Sequence, residues 1–126
     1  MNPKKVYMID TGFANRLGFN FSQNKGRLLE NMVFLELQRR GKEVFYFSDK
    51  LECDFIIREG LEIVEAIQVA YQLEASNYER EFRGLADAMS AYNIKRGLLI
   101  TYDVVDSIVS ENDGVEIIPI WRWLLT

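Results

Sequence analysis

Residues 43–71 read EVFYFSDKLECDFIIREGLEIVEAIQVAY, and this stretch decides the fold. Three runs rich in β-branched and aromatic residues, Glu43–Phe47, Glu52–Arg58 and Leu61–Tyr71, are parted by the polar turn Ser48–Lys50 and by Glu59-Gly60. Apolar runs of this length between Gly, Asp and Ser breakers are the pattern of consecutive strands, and Glu59-Gly60 predicts a tight hairpin.

Working outward, the segment before it predicts a helix over 26–40, stopped by Gly41. The Asn-, Ser- and Gly-rich segment Gly18–Gly26 reads as a loop. Before that, Lys5–Ile9 reads as a short strand, Asp10-Thr11-Gly12 as a turn, and the residues to Leu17 as a brief helical stretch. Downstream, Tyr78, Phe82, Leu85, Met89 and Tyr92 recur at steps of four, three, four and three, which is one face of a helix over 76–92. Gly97–Thr101 is a continuous apolar run suited to a fully buried strand, and Val115–Ile118 is a further strand ended by Pro119. The tail Ile120–Leu125 predicts a short helix laying both of its indoles against the body.

The order helix–strand–strand–strand–helix–strand–strand implies an α/β (α+β) domain with a mixed sheet and helices on its faces. The 71–97 interval is long enough for a parallel crossover. Residues 1–23 are expected to be an N-terminal extension and 24–126 the domain proper.

Of the 126 residues, 48% are apolar and 27% charged, ordinary for a soluble globular domain. No apolar run reaches membrane-spanning length and no signal-peptide pattern opens the chain, so no membrane partner and a cytoplasmic location are expected. Cys53 is the single cysteine, which leaves no intrachain disulfide. Histidine is absent, removing imidazole acid–base chemistry and His-ligated zinc and leaving carboxylates with a hard cation. The net charge of -4 argues against indiscriminate coating of nucleic acid. Residues 1–50 nevertheless carry nine Lys/Arg against five Asp/Glu, and Lys25, Arg27, Arg39, Arg40 and Lys42 suggest a basic face. Arg39 and Arg40 also suit the C-terminal end of a helix dipole.

Three polar residues stand out inside apolar segments. Glu30 neighbours Val33, Phe34 and Leu37 on the helix, whereas Asn31 and Gln38 mark another, polar side. A carboxylate in an apolar sector needs a partner or a metal. Regular alternation sets Asp54 apart from Cys53, Phe55 and Ile57, on the face of Ile56 and Arg58. Gln68 and Ala70 share a face with Val64 and Ala66, while Glu65 points the other way with Ile63 and Ile67, toward an Arg or Lys partner. Two carboxylates and an amide oxygen from adjacent segments compose a candidate site for Mg²⁺ or Mn²⁺, which would activate water and neutralise charge in phosphodiester cleavage. Two of them also have a structural alternative: a backbone or Arg partner for Glu30, and simple solvation for Asp54. Arg80, on the following helix, is a candidate displaced cation or a surface ion pair.

The stretches Lys5–Gly12, Gly26–Asn31, Glu52–Phe55 and Ala66–Val69 resemble one prokaryotic family, the C-terminal domain of unknown function of AAA-type ATP-binding proteins. The resemblance covers essentially the whole chain. That domain is similar to the restriction-endonuclease-like, PD-(D/E)XK superfamily. The resemblance implies a restriction-endonuclease-like core, with Glu30, Asp54 and Gln68 at the acid, aspartate and third-ligand positions. It also places Ala70 where the superfamily has its lysine. No G-x-x-x-x-G-K-[ST] motif occurs, so no ATP site is expected within this chain, and an upstream ATPase domain is the implied partner.

Three functional readings follow. One is an accessory domain with degenerate catalysis that binds nucleic acid, through Lys25, Arg27 and Arg80, or a protein partner. Another is an active Mg²⁺-dependent DNA nuclease. The last is a structural assembly domain using the apolar tail Trp121–Leu125.

Overall fold

The computed structural model describes residues 21–49, 51–103 and 114–126. The expected N-terminal strand and short helix lie outside the described residues. Helix α1 spans Phe21–Arg39 and is followed by strands β1 (Glu43–Ser48), β2 (Glu52–Glu59) and β3 (Glu62–Ala70). Helix α2 (Tyr78–Ala91), strands β4 (Gly97–Thr101) and β5 (Val115–Pro119), and helix α3 (Ile120–Leu124) complete the elements among the described residues. The five strands lie in the order β1-β2-β3-β4-β5. β1, β2 and β3 pair antiparallel, and β3, β4 and β5 pair parallel, so α2 is the crossover between β3 and β4. This is the mixed α/β sheet that the order of elements implies.

Two apolar layers hold it. On one face Leu29, Val33 and Leu37 of α1 pack over Phe55, Ile57, Ile67, Leu98 and Ile100, joined by Ile120 and Trp123 of α3. On the other, Phe82, Leu85, Ala88 and Met89 of α2 cover Cys53, Ile56, Ala66 and Leu99. Fully burying one such aliphatic or aromatic side chain stabilises by about 1.5–3 kcal/mol. β4 is buried along its whole length, as its apolar run requires. Among the described residues no helix is long and apolar enough to cross a membrane.

Local chemistry sets the ends. After α1, Gly41 at φ 73° lets its own N–H reach Gln38 O at 2.9 Å and that of Lys42 reach Leu37 O at 3.0 Å, a Schellman stop. Gly60 (φ 63°) opens the two-residue hairpin loop between the paired Glu59 and Glu62.

Three expectations are corrected. Helix α1 begins at Phe21, so residues 21–25 are helical and not part of a Gly18–Gly26 loop. Those residues lack apolar periodicity, but Asn24 is buried, and tertiary packing overrides a weak local preference. On the polar side of α1 Gln38 is exposed, whereas Asn31 is 4% exposed and its amide has no hydrogen-bond partner among the described residues.

The strands, next, do not alternate regularly. Phe45 pairs with Ile56 but Phe47 with Cys53, so β2 carries one extra residue in the interval around Asp54. Cys53 therefore joins Ile56 under α2, while Phe55 and Ile57 face α1. A second irregularity, between Ile57↔Glu65 and Arg58↔Ile63, turns Ile63 toward α2 and Val64 toward α1. Of the two indoles, lastly, Trp123 is buried but Trp121 is 48% exposed.

Candidate functional site

The bulge in β2 makes the site. Ladder pairing between β2 and β3 runs from Glu59↔Glu62 to Phe55↔Ile67. Beyond that point the Gln68 side chain does the work of the backbone. Its Oε1 accepts the N–H of Asp54 at 2.9 Å, and its Nε2 donates to the carbonyl oxygens of Glu52 (3.1 Å) and, on α2, Glu81 (3.4 Å). In return Asp54 Oδ2 accepts the N–H of Val69 at 2.9 Å. An extra residue in one strand leaves backbone groups out of register, and buried backbone groups left unpaired are costly. Here one amide and one carboxylate satisfy them. Gln68 is 5% exposed, and its amide meets a backbone group of β2 through its oxygen and of both β2 and α2 through its nitrogen.

Helix α2 comes close enough for that third bond because of Gly84. A Cβ there would overlap the carbonyl oxygen of Glu52 and stand 3.0 Å from Gln68 Nε2. The bulge, the amide and the glycine are one packing solution.

The splayed strand ends open into a cavity of about 610 Å³ between the two helices. Glu30 and Arg27 of α1, Asp54 and Gln68 of the sheet, and Arg80 and Glu81 of α2 all line it, with Glu52 at the strand end. The three residues singled out as a catalytic and metal set are thus brought to one place. Arg80, at 72% side-chain exposure, has its guanidinium 3.3 Å from the Glu81 carboxylate. Ala70, at the position where the resemblance expects lysine, is 7% exposed and belongs with Leu73 and Phe82 to the apolar layer under α2. Among the described residues no group of three or more Cys, Asp or Glu side chains is arranged to hold a metal ion.

The basic face divides. Lys25 and Arg27 lie beside the cavities, but Arg39, Arg40 and Lys42 sit at the far end of α1, about 20 Å away at 1.5 Å per residue. There Glu36 bonds Arg39 (2.7 Å) and Arg40 (2.7 Å), and these guanidinium partners, Arg39 foremost, hold its carboxyl down to about 2. Lys42 pairs with Glu59 at 2.8 Å. Glu65 does not line the cavity: its carboxylate is 3.2 Å from Arg96, and burial pushes its pKa up.

The sequence matches the family described as a domain of unknown function (DUF4143) over residues 25–123. The chain belongs to this family. The DUF4143 domain is 40% identical over 133 residues to an "Uncharacterized protein" of Methanocaldococcus jannaschii, covering 97% of this chain and 29% of that protein. It is 33% identical over 122 residues to an "Uncharacterized protein" of Haemophilus influenzae, covering 96% of this chain and 28% of that protein. The chain therefore spans less than a third of the length of the curated relatives it matches. No solved structure matches it.

One feature of the DUF4143 domain lay hidden in the sequence. β3 and β4 pair in the register Ala66↔Gly97 to Ala70↔Thr101, which brings the next residue of each, Tyr71 and Tyr102, side by side. Their rings stack with centroids 4.7 Å apart and planes 14° apart. The N–H of Tyr102 donates to Tyr71 O at 3.2 Å, and Lys25 Nζ lies 5.2 Å from the Tyr71 ring centroid. The signal was present in AIQVAY and GLLITY, which end alike, but only the parallel register turns it into a contact.

Proposed function

We propose that this domain is an accessory module of a larger, AAA-type ATP-driven protein, and that its cavity holds a strand of nucleic acid without cutting it. The observation that carries this is the state of Gln68. The amide that a metal-dependent nuclease would turn toward a cation is bonded to three backbone groups, while Arg27 and Arg80 stand on the cavity walls. One oxygen of Asp54 is likewise engaged by Val69 N–H. The Gln68 amide and one Asp54 oxygen are thus committed to backbone groups, and an alanine in the apolar layer supplies no ammonium to orient water, which together support a reading without cutting. The length of the relatives supports a larger protein, whose remaining part would carry ATP chemistry.

The nuclease reading keeps one observation in its favour: Glu30, Asp54 and Gln68 share a cavity. A single experiment separates the two. The domain is incubated with single-stranded, duplex and branched DNA in Mg²⁺ or Mn²⁺, beside Asp54→Ala and the double variant Arg27→Glu/Arg80→Glu. Retention of DNA without cleavage, lost in the double variant, is expected. Cleavage abolished by Asp54→Ala would reverse the conclusion.

A further inference from the structure

A second cavity of about 500 Å³ adjoins the first and shares Gly26, Val69, Arg80 and Glu81 with it, so the two form one groove running past the end of β3. Lys25 and Tyr71 line this second part. Tyr102 lines neither cavity but stacks on Tyr71, which does, and is 52% exposed. We propose that the Tyr71–Tyr102 stack is a platform for an unpaired nucleobase, so that the groove takes single-stranded nucleic acid in preference to duplex.

The charges of the groove make the stack necessary. Lys25, Arg27 and Arg80 supply three cations. Against them stand the four carboxylates placed in the first cavity and Glu74 in the second. A groove with more carboxylates than cations gains little from phosphate neutralisation, the term that drives duplex binding. Binding must then draw on bases, and only unpaired bases present a face for stacking. Lys25 beside the Tyr71 ring puts a cation next to the platform, where the phosphate of a stacked nucleotide would lie.

This inference rests on the nucleic-acid reading above, and its test tells the two apart. Fluorescence anisotropy would compare a labelled oligothymidylate with an abasic backbone of equal length, a duplex, a free nucleoside monophosphate and a lysine- and arginine-rich peptide. Oligothymidylate is expected to bind best, and Tyr102→Ala to weaken it by roughly 5- to 100-fold, the range of one lost base stack. Tyr102→Phe should restore it. The dependence of log affinity on log salt should have a slope no steeper than about -2, given three cations. Equal binding of the abasic strand, or indifference to Tyr102→Ala, would overturn the platform and leave the backbone reading standing. Binding of the monophosphate as tightly as the oligomer would overturn the single-strand assignment. No binding of any nucleic acid, or binding of the basic peptide alone, would overturn both.

Discussion

Replacing Gln68 by Glu changes one NH₂ group into an oxygen, and it sets the two meanings of this residue against each other. In a metal site the change adds a charged ligand of the same shape. In the bonding found here it removes both donations of Nε2, to Glu52 O at 3.1 Å and Glu81 O at 3.4 Å, and turns an oxygen toward two carbonyl oxygens. A typical hydrogen bond contributes about 0.5–1.5 kcal/mol net, and the longer of these two belongs at the low end. The new carboxylate, at a site 5% exposed and beside Asp54, adds a desolvation and repulsion term that its partial protonation relieves. Together these predict a loss of about 2–4 kcal/mol at pH 7.5.

The sign of the pH dependence follows. Burial and a neighbouring carboxylate raise the folded-state pKa of the new group, so the folded state binds its proton more tightly than the unfolded state. The penalty is then full above the folded pKa and shrinks as pH falls toward the ordinary glutamate value of about 4.3. Urea denaturation of parent and Gln68→Glu at pH 7.5 and 5.0, with and without millimolar Mg²⁺, measures both quantities. A variant as stable as its parent at pH 7.5, or one raised above the parent by Mg²⁺, would refute the backbone role of the amide.

The remaining predictions use the same denaturation assay. Gly84→Ala should cost about 1–3 kcal/mol even though alanine is the better helix former, because its Cβ would meet the Glu52 carbonyl. Gly26→Ala, also within a helix but with no atom within 4 Å of its added Cβ, should instead stabilise by up to ~1 kcal/mol, and a loss there would refute the helical start of α1. Glu36, held down to about 2 chiefly by Arg39 and then Arg40, contributes stability that is present above its ordinary 4.5 and lost as pH falls from 4.5 toward 2. In Glu36→Gln that part of the acid dependence should vanish, and a variant tracking the parent between pH 5 and 2 would count against the pairing.

Much of the fold was legible because its elements announce themselves by period and punctuation. The 4-3-4-3 spacing from Tyr78 to Tyr92, the unbroken run Gly97–Thr101 and the Gly41 and Gly60 stops need no tertiary information. The start of α1 does need it, since Phe21–Lys25 have no periodic apolar face. Register is less legible again. A strand read at strict period two put Cys53, Phe55 and Ile57 on one face, and a single extra residue at Asp54 undid that for Cys53. For the site, the meeting of Glu30, Asp54 and Gln68 in one cavity was an expectation of the family resemblance, not of their spacing alone. The Tyr71–Tyr102 stack could not be expected, because it depends on which residues of two parallel strands stand level.

The bulge also changes what a signature residue means. An Asp and a Gln at the spacing of a nuclease motif are ordinarily weighed as ligands, yet the same two side chains are what a bulged pair of strands requires. Each supplies one backbone partner to the other's segment, Asp54 Oδ2 to Val69 N–H and Gln68 Oε1 to Asp54 N–H. Removing either leaves a part-buried backbone N–H without that partner, at a cost of about 1–3 kcal/mol. Ala70, where the resemblance would expect a lysine, has no such duty and sits among apolar neighbours. The presence of Asp54 and Gln68 is therefore weak support for the nuclease reading, because their backbone bonds account for them without any metal.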